Sequence, residues 1–369
     1  MLKPMKWSIK IGTISGIEIK AHWTFLILLG WVFFSHFNMG HALEEGLLGV
    51  VFILALFACV LLHELGHALT GKRYSITTQN IVLLPIGGVA NMEKMPEKPI
   101  QELWVALAGP AVNLGISIVL FFILKQTNGI PNMLDMNSHM SSSNFLFNLL
   151  IVNVLLAGFN LIPAFPMDGG RVLRAILAMK LDRTKATEIA ALTGQFLAIG
   201  FVFLGIFSNV WLVFIGLFVF LGAGAESNYE STRSVLSKYS VGNILMKNYT
   251  ILPSNEPIER AVEQLLNGQE KAFLISENDH IVGFITKDEI IKGLSELGKL
   301  APLRNITQRN YPELTPQTKL DIARELMDKA GASFSPVFEE GKLVGVLDLE
   351  NIAEVILVYK AGMESNINF

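Results

Sequence analysis

The chain has 369 residues, 51% of them apolar, with a formal net charge of −3 and a mean hydropathy of +0.46. That balance excludes a nucleic-acid binder, which needs a basic face, and the single cysteine, Cys59, excludes an intrachain disulfide. The apolarity is concentrated in residues 21–225, whereas 226–369 have the charge density of a soluble domain, so a membrane half followed by a soluble half is expected.

Residues 1–20 alternate apolar and polar positions around Gly12 and Gly16, which predicts a short β-hairpin. Spanning a bilayer takes roughly 20 apolar residues per helix. Six segments are candidates: 21–37, 47–70, 103–125, 144–165, 189–207 and 210–225. The first begins too late, and lacks the small-residue cleavage site, to be a signal peptide. Lys3, Lys6, Lys10 and Lys20 precede it. Lys72, Arg73, Lys94 and Lys98 follow the second segment, and Arg171, Arg174, Lys180, Arg183 and Lys185 follow the fourth. The alternate connections 38–46, 126–143 and 208–209 carry no Lys or Arg. The positive-inside rule then predicts a multi-pass protein of the cell membrane with both termini in the cytosol. The acceptor patterns at Asn248 and Asn305 then lie in the cytosol and read as chance.

The second apolar segment contains H-E-L-G-H, with His63, Glu64 and His67 inside hydrocarbon-like sequence. Ionisable groups there are expensive and mark function. Residues four apart share one helix face, so His63 and His67 can hold one metal ion. Glu64 beside them can deprotonate a water, which is why H-E-x-x-H on a helix points to zinc hydrolysis. A catalytic zinc takes three protein ligands. The candidates for the third are His22, His36, His41, Cys59 and Asp168. His36 and His41 belong toward the opposite membrane face, Cys59 reads as packing, and His22 reads as an interfacial residue beside Trp23. Asp168 lies at the cytosolic end of the fourth segment, the same depth as the histidines, in a stretch broken by Pro163, Pro166, Gly169 and Gly170. Broken backbone at that depth is tolerated around a buried site. The bland alternative is that Asp168 caps a helix beginning near Val172.

The loop 71–102 has β-branched runs around Pro85, Gly87 and Gly88 and reads as a hairpin or re-entrant sheet. An edge strand there can pair with an unwound peptide. Asn160 can hydrogen-bond an exposed backbone or a developing oxyanion, and an interhelical hydrogen bond is the equally weighted alternative. For Asn113 and Asn153 the sequence favours helix packing.

Residues 226–239 read as a linker and 240–369 as an internal repeat. Val282-Gly283 recurs as Val344-Gly345, a period of 62, behind amphipathic segments 258–267 and 319–330.

Taken in order, H-E-L-G-H (63–67), L-L-P-I-G-G-V-A (83–90), A-G-P-A-V-N (108–113) and N-L-I-P-A-F-P-M-D-G-G (160–170) resemble the site-2 protease family of intramembrane zinc metalloproteases. The resemblance spans the whole chain and is to the branch with a six-helix core and a C-terminal CBS pair, including members that process pro-sigma factors. It implies a polytopic α-helical membrane protein with a six-helix site-2 protease core in residues 21–225. It also implies an α/β tandem CBS (Bateman) domain in residues 240–369. One Zn2+ per chain would be held by His63, His67 and Asp168, with Glu64 as general base. Asn160, Pro166, Gly87 and Gly88 would bind substrate. The implied substrate is a single-span membrane protein such as an anti-sigma or pro-sigma factor, cut near the cytosolic face in contact with membrane lipid. The CBS resemblance implies an adenine nucleotide at Thr286 and Asp288 and a homo-oligomer through the CBS pair. The second repeat departs from the nucleotide pattern, with Asp348 and Glu350 at the matching positions. The rival expectation is a CBS-regulated metal transporter or channel without hydrolytic activity. Glu64 discriminates, since permeation does not need a carboxylate between the two histidines.

Overall fold

The computed structural model describes residues 8–38, 43–85, 87–92, 95–127, 144–268 and 270–364. The start of the predicted N-terminal hairpin, the side chain of His36, His41 and most of the connection 126–143 lie outside the described residues. The chain divides into two compact units, Leu2–Asn228 and Tyr229–Phe369, apart from Met1.

The first unit opens with β1 (Ser8–Ile14) and β2 (Ile17–His22), an antiparallel hairpin turned at Ser15 and Gly16. Gly16 has φ +88°, a conformation glycine adopts without a Cβ penalty. The helix α1 (Trp23–Asn38) follows directly, then α2 (Leu43–Lys72). The loop read as strand-forming does form strands, β3 (Thr78–Leu84) and β4 (Gly87–Met92). All four strands make one sheet in the order β1-β2-β3-β4, with β2 and β3 parallel. β1 and β4 are its edges. Ile17 and Ile81 from the sheet pack on Leu65 and Ala68 of α2, the half of the helix that carries the histidines. Each fully buried Ile or Leu there contributes about 1.5–3 kcal/mol.

Next come α3 (Pro99–Gln126), α4 (Phe145–Asn160), α5 (Asp168–Ala178), α6 (Arg183–Ser208) and α7 (Val210–Leu236). Among the described residues, α2, α3, α6 and α7 are long and apolar enough to cross a membrane. The other two predicted spans form apolar helices of 16 residues each, α1 and α4. At 1.5 Å per residue these cover about 24 Å, less than the roughly 30 Å hydrocarbon core.

Two boundaries differ from expectation. The fourth segment does not stay helical to residue 165; α4 stops at Asn160, because Pro163 and Pro166 cannot donate backbone hydrogen bonds. The next helix starts at Asp168 rather than near Val172, behind a short loop that includes a cis Phe165–Pro166 bond. Three residues of that loop, Ala164, Phe165 and Met167, are buried. Ala164 and Met167 pack with Ala198 and Val219, and Phe165 packs with Ala190, Ala191 and Ala223. The stretch read as a linker is helical through Leu236.

The second unit contains the repeat. After the short helix α8 (Val241–Ile244) come β5 (Ile251–Pro253), α9 (Ile258–Asn267), β6 (Ala272–Glu277), β7 (His280–Thr286) and α10 (Lys287–Leu297). A 3-10 turn at Leu303–Asn305 leads to α11 (Leu320–Ala330), β8 (Phe334–Glu339), β9 (Lys342–Asp348) and α12 (Leu349–Glu364). The period of 62 governs the pairing. Ala272↔Thr286 in β6–β7 becomes Phe334↔Asp348 in β8–β9, and the parallel pair Leu252↔Ile275 becomes Leu314↔Val337. Leu274 and Phe284 of one repeat meet Phe334 and Val346 of the other in a shared core.

Candidate active site

The α2 helix sets His63 and His67 one turn apart on a buried face, their Nε2 atoms 3.1 Å from each other. The N-terminus of α5 brings in Asp168. Its Oδ2 lies 3.1 Å from His67 Nε2 and 3.2 Å from His63 Nε2. The three donor atoms lie within 4.8 Å of one another and are buried. Glu64, half-buried, faces the sheet instead. A Cβ placed on Gly88 of β4 would come within 2.9 Å of Glu64 Cγ, so glycine lets the edge strand lie directly against the glutamate. Gly87 opens that strand with φ +136°, where L side chains are strained.

Neighbouring helices orient the histidines. His67 Nδ1 lies 2.7 Å from the carbonyl oxygen of Val105. A carbonyl only accepts, so Nδ1 carries the proton and Nε2 presents a lone pair. His63 Nδ1 lies 2.7 Å from Asn113 Oδ1. Close approach of α3 depends on two glycines. A Cβ on Gly66 would meet the Ala108 carbonyl oxygen at 2.9 Å, and one on Gly109 would overlap His67 Nε2 and sit 2.6 Å from His63 Nε2.

The arrangement of donors tests their fit to a metal. A nitrogen lone pair and a carboxylate oxygen face each other at contact distance in a buried place, beside the second imidazole nitrogen. Such acceptors repel unless a cation lies among them. Two imidazole nitrogens and one carboxylate oxygen suit zinc, with one coordination position left for a water or substrate.

Asp168 is held from behind. Arg171 Nη1 lies 3.8 Å from its Oδ1. Arg174, two turns along α5, is 1% exposed and bonds Glu102 of α3 (2.6 Å) and Glu226 of α7 (2.6 Å). Arg183 of α6 also reaches Glu102, at 2.8 Å. The Arg174 guanidinium lies 5.0 Å from the centre of the Phe165 ring.

The remaining predicted residues spread out. Asn160 closes α4, half-buried, and Pro166 is an exposed residue of the α4–α5 loop that packs on Gly222 of α7. His22 bonds Thr24 Oγ1 at 2.7 Å where β2 meets α1. Cys59 packs among Phe52, Leu120 and Leu149. Neither joins the donor group. In the second unit Thr286 caps α10 in a reciprocal box with Glu289, and Asp288 stands in the first helical turn. Glu350 is paired with Lys271 of the first repeat at 2.7 Å. Sequence reasoning missed Val105, Gly109, Glu102 and Arg174. Gly109 had a signal, its place in A-G-P-A-V-N. A backbone carbonyl such as that of Val105 leaves no signal in the sequence.

Comparison with known proteins agrees with this chemistry. Residues 51–139 and 129–201 match peptidase family M50, and residues 241–296 and 303–358 each match the CBS domain. A zinc metalloprotease of Methanocaldococcus jannaschii is 33% identical over 362 residues, 96% of this chain and 97% of the relative. Rip3 of Mycobacterium tuberculosis is 28% identical over 384 residues, 96% of this chain and 94% of the relative. Among solved structures, the site-2 protease from Methanocaldococcus jannaschii is 40% identical, covering 60% of this chain and 95% of that one, with a TM-score of 0.44.

Proposed function

This chain belongs to peptidase family M50 and is a zinc metalloprotease, and from that premise we propose that it cuts single-span membrane proteins within the membrane, close to the cytosolic face. The observation that carries the reading is the convergence of His63 Nε2, His67 Nε2 and Asp168 Oδ2 next to Glu64, with an edge strand against that glutamate. A bound zinc would polarise the scissile carbonyl and lower the pKa of water.

His63, His67 and Asp168 would hold that ion. Glu64 would take the proton of the attacking water and return it to the leaving amine. A substrate helix hides its carbonyls in hydrogen bonds, so it must unwind first. Among the described residues β4 has an unpaired edge, on which an extended segment can form a strand. Gly87 and Gly88 keep that edge free of side chains beside Glu64. Asn160 and Pro166, in and beside the α4–α5 loop, are read as substrate-binding residues on the motif resemblance. The Lys and Arg asymmetry of the connections supports a multi-pass protein with both termini in the cytosol. Anti-sigma and pro-sigma factors are substrates of the right kind. A transporter or channel has no use for a carboxylate between two histidine ligands and does not fit this family.

The CBS pair is read as the regulatory part, with an adenine nucleotide at Thr286 and Asp288. In the second repeat the equivalent carboxylate, Glu350, is already bonded to Lys271.

The test is cleavage of a generic single-span substrate by purified protein, wild type beside Glu64→Gln, with zinc quantified in both. The expected result is loss of cleavage by a factor of about 10²–10⁴ with zinc retained. Undiminished cleavage by Glu64→Gln would overturn the mechanism. Thermal stabilisation by AMP or ATP, lost in Asp288→Ala, tests the nucleotide reading.

A further inference from the structure

A polar chain runs away from the histidines through the interior of the membrane unit. Asn113 of α3 and Asn153 of α4 are both 0% exposed. His63 Nδ1 meets Asn113 Oδ1 at 2.7 Å, Asn113 Nδ2 meets Asn153 Oδ1 at 3.1 Å, and Asn153 Nδ2 meets the Leu149 carbonyl oxygen at 2.8 Å. Packing between helices explains that two asparagines touch. It does not explain the direction of the chain.

The direction follows from its far end. The Leu149 carbonyl can only accept, so the amide edge of Asn153 facing it is the NH2 group. The Asn153 oxygen is thereby turned toward Asn113, which must answer with its own NH2 group. The Asn113 oxygen is left facing His63, and His63 Nδ1 must then carry the proton. Reversing Asn113 alone would set its oxygen against the Asn153 oxygen. Reversing both would set an oxygen against the Leu149 carbonyl. Neither contact can be relieved by water in a fully buried place.

We propose that Asn113 and Asn153 form a positioning relay in which one backbone carbonyl of α4 fixes the tautomer of His63 and aims its Nε2 lone pair at the metal. The inference rests on the metal site proposed above. His67 achieves the same end directly, through the Val105 carbonyl. His63 Nδ1 instead meets the Asn113 amide oxygen, and the Leu149 carbonyl acts on it through two amides. Partners of this kind raise ligand basicity and fix ring orientation. Neither asparagine touches substrate or the reacting atoms, so both are positioning residues.

The experiment measures zinc affinity of the full-length, detergent-purified protein by competition with a chromophoric chelator, alongside the visible absorption of the cobalt-substituted form. Asn113→Leu should bind zinc about 10- to 100-fold more weakly than wild type. Asn153→Leu should lose less, because Asn113 can still face its oxygen to His63 some of the time. Asn113→Asp should keep near wild-type affinity and the wild-type cobalt spectrum, because a buried aspartic acid in its protonated form accepts the Nδ1 proton on one oxygen and donates from the other to Asn153 Oδ1. A role in helix packing alone gives another order, with Asn113→Asp as damaging as Asn113→Leu, and that result overturns the proposal. So does wild-type affinity in folded Asn113→Leu. Where Asn113→Leu does not fold, Asn113→Asp and Asn153→Leu decide on the same terms. His63→Asn is the control for the metal reading. If it keeps the zinc, or wild type binds none, that reading falls and the relay with it. If it loses the zinc while the asparagine variants do not, the relay alone is refuted.

Discussion

Substituting alanine for Gly109 isolates one contact between α3 and the metal-binding pair. The new Cβ would stand 2.6 Å from His63 Nε2 and closer still to His67 Nε2. Ordinary contact begins at 3.4 Å, so His63 Nε2 would have to retreat by about 0.8 Å. Zinc–nitrogen bonds are about 2.0–2.1 Å, and a working site holds them within about 0.2 Å. The required shift is several times that tolerance. Overpacking of a close-packed interior costs about 1–3 kcal/mol, which corresponds to roughly 5- to 150-fold in affinity. Gly109→Ala should therefore weaken zinc binding by about 10- to 100-fold and lower proteolysis in proportion. The assay is chelator competition with the purified protein, with substrate cleavage measured in parallel. Gly115→Ala, on the same helix with nothing near its Cβ position, is the control and should be neutral or slightly stabilising. Wild-type zinc affinity in Gly109→Ala would refute the close approach of α3 to the histidines.

Other variants separate the remaining parts. Gly88→Ala puts a Cβ within 2.9 Å of Glu64 Cγ, so kcat should fall about 10-fold with zinc affinity unchanged; an unchanged kcat would detach β4 from Glu64. Arg174→Leu takes this partner from the half-buried Glu226 and leaves the buried Glu102 to Arg183 alone, and should cost about 3 kcal/mol, the low end for a broken buried pair, read as a lower unfolding temperature in detergent. A change too small to measure there would show that the cluster does not anchor α5. Glu18 is held at a pKa of about 2 by hydrogen bonds to Lys10 and Lys20 and by their charges, against an ordinary 4.5. A lowered carboxylate pKa stabilises the folded hairpin above about pH 4.5, and the effect is lost as pH falls towards 2. Titration of the Glu18 carboxyl by NMR should give the low value and return towards 4.5 in Lys10→Ala and in high salt. An unperturbed titration in wild type would deny the lysine pairs.

Much of the site was legible along the chain because its most specific element is local. The spacing of His63 and His67 needs only the helical repeat to put both rings on one face, and a costly polar triplet in an apolar run marks it as functional. The repeat of 62 was equally local, since like segments make like hairpins, and the strand registers preserve it residue by residue. The prolines at 163 and 166 announced a break near Asp168, although the helix ends and restarts at residues that the apolar run did not mark.

What needed three dimensions was every relation between distant segments. Asp168 lies 101 residues from His67, and its arrival depends on α5 being anchored through Arg174 to two other helices. Gly109 matters because α3 crosses α2 at that residue, and Gly88 because β4 lies across Glu64. The sequence read Asn113 as helix packing, which is correct for any single pair of helices. Its partner on each side, and so the direction of its amide, depends on α2, α3 and α4 meeting at one depth. Periodicity reports the face that a segment buries, but the neighbour covering that face is chosen by close packing of the whole unit.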